Sequence, residues 1–191
     1  MNKPRAGKVG TLLRGALLIG LTFGSFASGG PVYAAADTKD KDASVSTADK
    51  DFIMEAACGG MAEVALGELA QQKGQSDAVK QFGRHMMDDH SKANNELQQL
   101  AARKGVVVPA ALKPKYQKVV DALSQLSGAA FDKQYMREMV KDHEGDVAAF
   151  QKEVARGKDA DLTAWAKQTL PTLQDHLKMA RDAETKVAQG R

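Results

Sequence analysis

Arg84-His85-Met86-Met87-Asp88-Asp89-His90 is the stretch on which the reading of this chain turns, because its frame returns as Arg137-Glu138-Met139-Val140-Lys141-Asp142-His143. Arg, Met, Asp and His recur at matching offsets, and Asp175-His176 adds a third Asp-His pair. The apolar neighbours of each histidine fall at intervals of three and four, the spacing at which one face of an α-helix meets a core. In the first segment the stripe is Val79, Phe82, Met86, His90, Ala93, Leu97 and Leu100, and in the second it is Met136, Val140, His143, Val147, Phe150 and Val154. A third runs through Leu162, Ala166, Thr169, Leu173, His176, Ala180, Ala183 and Val187. Each histidine lies inside an apolar stripe.

Working outward, helix signals bracket these stripes and strand signals are almost absent. Ser46 with Asp49 reads as a capping box opening a first helix from about residue 48 to Lys73, which Gly74 can close in a left-handed cap. Ser76 starts a second helix running to about Lys104 and stopping at Gly105, so the two form an antiparallel hairpin. Val106 to Pro109 is extended, and Pro114 opens a short amphipathic helix ending near Gly128; this connection is too long for a hairpin turn and reads as a crossover. A third long helix from about Ala129 to Arg156 breaks at Gly157, and Asp159 or Asp161 caps a fourth reaching about Ala188, with a kink expected at Pro171. The expected fold is all-α: a four-helix bundle of two helical hairpins joined by a crossover containing a short helix, over residues 48–188.

The N-terminus has a different character. Residues 1–36 read as a secretory signal peptide, with Lys3, Arg5, Lys8 and Arg14 ahead of the apolar run Ala16–Phe26 and small residues up to Ala36 for cleavage. Without an Arg-Arg pair, the general secretory route to the periplasm is expected. Those four residues are among the chain's 27 basic ones, and none of its 24 acidic ones lies there, so the formal charge of +3 falls to −1 in the mature chain. A nucleic-acid partner thereby loses its electrostatic argument. Residues 37–47 are polar and read as a flexible tether. No transmembrane segment is expected in the mature chain, and a homodimer is left open. Cys58 is the lone cysteine, which excludes an intramolecular disulfide and suits a small buried residue.

The histidines carry the functional question. His90, His143 and His176 each fall near the midpoint of a predicted helix, and so does Glu63 on the first helix if its inward stripe runs Phe52, Ala56, Gly59, Glu63, Leu66 and Ala70. A competing stripe, Ile53, Ala57, Gly60 and Val64, leaves Glu63 nearer the surface. Midpoints share a layer in a bundle, so the first arrangement gathers three imidazoles and a carboxylate. Unpaired buried polar groups cost a few kcal/mol each, so these need partners. A transition metal such as zinc, copper, iron or manganese is one solution, with Glu63, His90, His143 and His176 as ligands. Hydrogen bonding among the four groups is the other.

Around that set, Asp89, Asp142 and Asp175 each precede a histidine on the flank of its stripe, where they read either as solvated charges on the bundle rim or as acceptors of a ring N–H from a neighbouring helix, fixing its tautomer. Met86 and Met139 stand four residues before His90 and His143, where thioethers suit monovalent copper, although methionine is also ordinary core filler. His85 turns off the stripe toward solvent. Nothing resembles a nucleophile triad, a phosphate loop or a dinucleotide fingerprint, no organic cofactor is indicated, and the pattern leans away from an enzyme.

Phe82 to His90, then Gly128-Ala129-Ala130-Phe131-Asp132-Lys133-Gln134-Tyr135-Met136 leading into Met139–His143, and Leu170-Pro171-Thr172-Leu173-Gln174-Asp175-His176-Leu177, resemble the bacterial envelope family called domain of unknown function 4142. The likeness spans about Ala48 to Val187. It implies a ferritin-like four-helix bundle exported across the inner membrane, without an established activity, and often labelled an outer membrane protein. That label is at odds with a helical pattern lacking the alternating strands of a barrel. A diiron ferritin-like site uses Glu-x-x-His on two helices, whereas the residues three before His90, His143 and His176 are Met87, Val140 and Leu173. Three roles stay open: a metal-binding bundle for buffering or envelope stress, a structural or protein-interaction bundle without metal, and a metal-dependent oxidase.

Overall fold

The computed structural model describes residues 45–190, so the expected signal peptide and most of the tether lie outside the described residues. Five helices follow one another: α1 (Thr47–Lys73), α2 (Asp77–Arg103), the short α3 (Pro114–Ser124), α4 (Gly128–Arg156) and α5 (Ala160–Ala188). Val45, inside the expected tether, is buried with the apolar cluster that includes Ile53 and Trp165.

The helix ends explain how the hairpins are held. Ser46 caps α1 by accepting from the Asp49 N–H, but the expected reciprocal half of the capping box does not form. The Asp49 carboxylate instead accepts the N–H groups of Lys158 and Asp159 at 3.1 Å each, tying the start of α1 to the α4–α5 turn. Asp132, in the first turns of α4, does the same at the other end, accepting from Gln75 at 2.9 Å and Ser76 at 2.8 Å in the α1–α2 turn. The two devices are spaced alike along the chain. They also fix the directions: α4 starts where α1 ends, so every adjacent pair around the bundle is antiparallel and the crossover returns the length of the molecule. Gly74 is extended (φ −65°, ψ 144°) rather than left-handed. Its requirement is steric, since a Cβ there would lie 2.5 Å from the Ala70 carbonyl oxygen.

The other helix boundaries follow the pattern closely. Gly105 takes φ +66° past the end of α2, where its N–H and that of Val106 return to the Ala102 and Ala101 carbonyls. Asp159 caps α5 through the Leu162 N–H. Pro171 is exposed and α5 runs through it unbroken from Ala160 to Ala188. Helix α3 ends at Ser124, ahead of Gly128, which takes φ +60° to open α4. Glu55 on α1 receives Lys113, Lys115 and the Tyr116 hydroxyl, holding the start of α3 against α1.

Between α1 and α2 the backbones approach through glycine. A Cβ on Gly83 would sit 2.7 Å from the Ala70 Cβ, and one on Gly67 would sit 2.6 Å from the Gly83 carbonyl oxygen. Gly83→Ala is expected to destabilise by about 1–3 kcal/mol through overpacking, against the ~0.5–1 kcal/mol that alanine gains over glycine within an ordinary helix. A thermal melt reads the sign directly, and a raised midpoint would contradict the close contact.

The buried apolar residues form two clusters. One holds Leu66, Val79, Phe82, Met86, Phe131, Tyr135, Met136, Met139 and Ala180, and the other holds Ile53, Leu97, Leu100, Phe150, Leu162, Trp165 and Leu173. In every long helix a polar residue falls between them: Glu63, His90, His143 and His176. The bundle core is thus split by a polar layer.

Candidate metal centre

Glu63 is buried at 1% exposure, so the first helix does turn it inward. The buried face of α1 is broader than either expected stripe: Ile53, Ala57 and Gly60 are buried together with Gly59, Glu63, Leu66 and Ala70, while Phe52 and Ala56 are half-buried. With Ala and Gly at most of these positions, α1 sinks deeper between its neighbours than a leucine-rich helix could.

Each histidine is anchored by one ring nitrogen. His143 Nδ1 lies 2.9 Å from the Met139 carbonyl, which can only accept, so this nitrogen carries the proton. His176 Nε2 donates to Asp89 Oδ2 at 2.9 Å, and His90 Nδ1 lies 2.9 Å from Glu63 Oε2. The nitrogens left over, His90 Nε2, His143 Nε2 and His176 Nδ1, are buried without a hydrogen-bond partner. The rings face one another as a nearly equilateral triangle, with centroids 5.8, 5.3 and 5.4 Å apart. One nitrogen from each comes within 4.8 Å of the others. No histidine–histidine hydrogen bond forms among the described residues; the expected bonding within the layer is met in part, by His90 Nδ1 and Glu63 Oε2 at 2.9 Å. Outer N–H anchored and inner lone pair free is how imidazoles are oriented toward a metal ion.

Protonation favours the same arrangement. Burial holds His90 and His176 at about 4 and lowers His143, so all three rings are neutral at pH 7. Burial pushes the Glu63 carboxyl up to about 8. A protonated Glu63 can direct its O–H toward His143 Nε2, 3.3 Å from Oε1. The empty centre is then neutral, at the cost of occupying one ligand nitrogen with a weak contact. The donor set of three imidazole nitrogens and a carboxylate fits zinc, copper, iron or manganese.

Of the residues expected to support this set, Asp89 fills its role from the neighbouring helix. Asp175 does not: it is exposed, because the turn away from the His176 stripe carries it to solvent. Asp142 is half-buried and gathers with Glu63 and Asp146, their carboxylate oxygens within 4.8 Å of one another, instead of receiving a ring N–H. Met86 and Met139 pack in the apolar cluster on one side of the layer, and Met139 serves the centre through its backbone carbonyl. Asp146 was not expected. Its interval from Glu63 equals that from Asp49 to Asp132, and this internal repeat is the signal that could have found it. His85 is exposed and Cys58 is buried, both as expected.

The chain belongs to the family described as a domain of unknown function (DUF4142), whose model matches residues 34–183. A comparison with curated proteins gives no match. Among solved structures the chain is similar to the crystal structure of a DUF305 fragment from Deinococcus radiodurans, with a TM-score of 0.65 over 74% of this chain and 98% of that one. At 14% identity this likeness concerns the fold alone.

Proposed function

We propose that this protein is an exported helical bundle that binds one transition metal ion at Glu63, His90, His143 and His176, serving as a metal buffer in the cell envelope. What supports the reading is that His90, His143 and His176 each bring one ring nitrogen within 4.8 Å of the others, and that each also keeps one buried ring nitrogen without a hydrogen-bond partner while the opposite nitrogen is anchored. A purely structural role leaves the lone pairs of His90 Nε2 and His176 Nδ1 uncompensated and gives His143 Nε2 only the 3.3 Å contact with Glu63. The periplasmic location rests on the pattern of residues 1–36, and no helix among the described residues is long and apolar enough to cross a membrane. Calorimetric titration of metal-free mature protein with zinc, ferrous, manganous and cuprous ions tests the reading. One tight equivalent of at least one ion is expected, and failure to take up any of them overturns it.

The pH dependence has a definite sign. His90 and His176 are already neutral above pH ~5 and burial also lowers His143, so the rings add little to the slope near neutrality, whereas Glu63 must lose its proton to coordinate and holds it up to about 8. Affinity is expected to rise about tenfold per pH unit between 5.5 and 7.5, one proton being released per ion. Calorimetry in buffers of different ionisation enthalpy counts that proton. A slope that breaks near 6.5 would assign the titration to ordinary histidines.

Asp89 and Asp175 offer a matched pair. Asp89→Ala removes the acceptor that orients His176 and is expected to weaken binding about 10–100-fold, as removal of such anchors typically does. Asp175→Ala, on the exposed side, is expected to leave affinity unchanged when both are measured by chelator competition.

A further inference from the structure

We infer that the centre has a second cation subsite of different chemistry, formed by Glu63, Asp142 and Asp146, with Glu63 shared between the two. This rests on the metal-binding reading above and extends it from one ion to two. The carboxylate oxygens of these three residues lie within 4.8 Å of one another, on the α1 and α4 side of the same layer. Acidic residues gather on many surfaces, but here Glu63 is buried in the core and Asp142 and Asp146 are half-buried beside it. Glu63 is buried and its Oε1 has no hydrogen-bond partner.

A separate observation concerns the space beside it. A cavity of about 20 Å³, lined by Glu63, His90, Asn94, Asp146 and Trp165 among others, adjoins both the nitrogen and the oxygen groups. That volume holds about one water molecule. Trp165, only 9% exposed, lines it, and its indole Nε1–H is buried without an acceptor. An oxygen ligand in this cavity would complete the shell of an ion at either group and accept from Trp165. The cavity's small volume suits one coordinated solvent molecule rather than bulk water.

Charge points the same way. A single dication beside three carboxylates leaves an excess of negative charge that a second cation offsets. Lys115 on α3 faces these carboxylates from the crossover but is 60% exposed, too solvated to replace an ion in the layer. The three imidazoles select zinc, copper or ferrous iron, and the three carboxylates select a harder divalent ion of the manganous or magnesium type. The pair would be asymmetric by construction, one nitrogen-rich and one oxygen-rich position joined by a single carboxylate.

The experiment is native mass spectrometry and calorimetry of metal-free mature protein given zinc and then manganous ions, for the wild type, Asp142→Asn/Asp146→Asn and His143→Ala. Two ions are expected in the wild type and one, the zinc, in the double variant. The double variant is isosteric, so its metal-free thermal midpoint is expected to match that of the wild type, which separates lost ligands from lost folding. Wild type holding one zinc and no manganous ion, with the double variant identical, would overturn the second subsite and leave the first intact. Wild type binding neither ion would overturn both readings. A second ion that persists in the double variant with a normal melt would place it elsewhere and also overturn the assignment.

Discussion

His143→Ala is expected to weaken metal binding by at least about a hundredfold while leaving a folded bundle. A structural zinc site of four ligands is worth about 10–16 kcal/mol, so one ligand accounts for roughly 3 kcal/mol. The alanine also removes the ring whose Nδ1 donates to the Met139 carbonyl and whose Nε2 faces Glu63. In the metal-free state the loss is smaller, because Nε2 makes only the long 3.3 Å contact with Glu63. The two effects separate cleanly in melts run with and without metal. Wild type gains stability with added ion by mass action, about 2.7 kcal/mol at a hundred times the Kd, and the variant gains little at the same concentration. A variant that keeps the wild-type metal-dependent shift would remove His143 from the ligand set.

Asp132→Ala is expected to cost about 3–5 kcal/mol, the largest stability effect among polar substitutions in the bundle. Its carboxylate accepts two backbone N–H groups from Gln75 and Ser76, and hydrogen bonds to a charged acceptor contribute about 1.5–3 kcal/mol each. Because the bond joins α4 to the α1–α2 turn, its loss loosens one hairpin from the other as well as fraying a helix end. Asp132→Asn offers one acceptor oxygen instead of two, so about half the loss is expected. Asp49→Ala, with the equivalent pair at Lys158 and Asp159, should show the same graded behaviour in chemical denaturation. Equal stabilities for Asp132→Ala and Asp132→Asn would contradict the two-bond geometry.

The bundle was legible because helix period, capping residues and glycine stops agree along α2, α4 and α5, where one apolar stripe suffices to bury the helix. Asp159 and Gly105 behave as their local chemistry dictates. Helix α1 was harder to read, since its small residues let two adjoining stripes sink together, and a periodicity count cannot choose between faces that are both buried. Asp49 shows a different limit. A Ser-x-x-Asp pattern signals a local box, but the carboxylate found a pair of backbone donors across the molecule, and no local rule ranks a tertiary partner against a neighbour.

Within the centre, the four ligand candidates were readable from depth and direction, because antiparallel helices of similar length bring their midpoints into one layer. The supporting carboxylates were not. A step of one residue turns the side chain by about 100°, and whether that points to a neighbouring helix or to solvent depends on which neighbour lies on that side. Asp89 meets α5, Asp142 meets Glu63, and Asp175 meets water. The Arg-Met-Asp-His frame shared by Arg84–His90 and Arg137–His143 places equivalent histidines on α2 and α4, which run in the same direction on opposite sides of the core.

The most direct test of the proposed metal centre is the metal content of the untagged protein purified from cells, measured by mass spectrometry beside the His90→Ala/His143→Ala double variant. The account predicts a stoichiometric transition metal in the wild type that is absent from the variant. A wild type that arrives empty and takes up no zinc, copper, iron or manganese would contradict it.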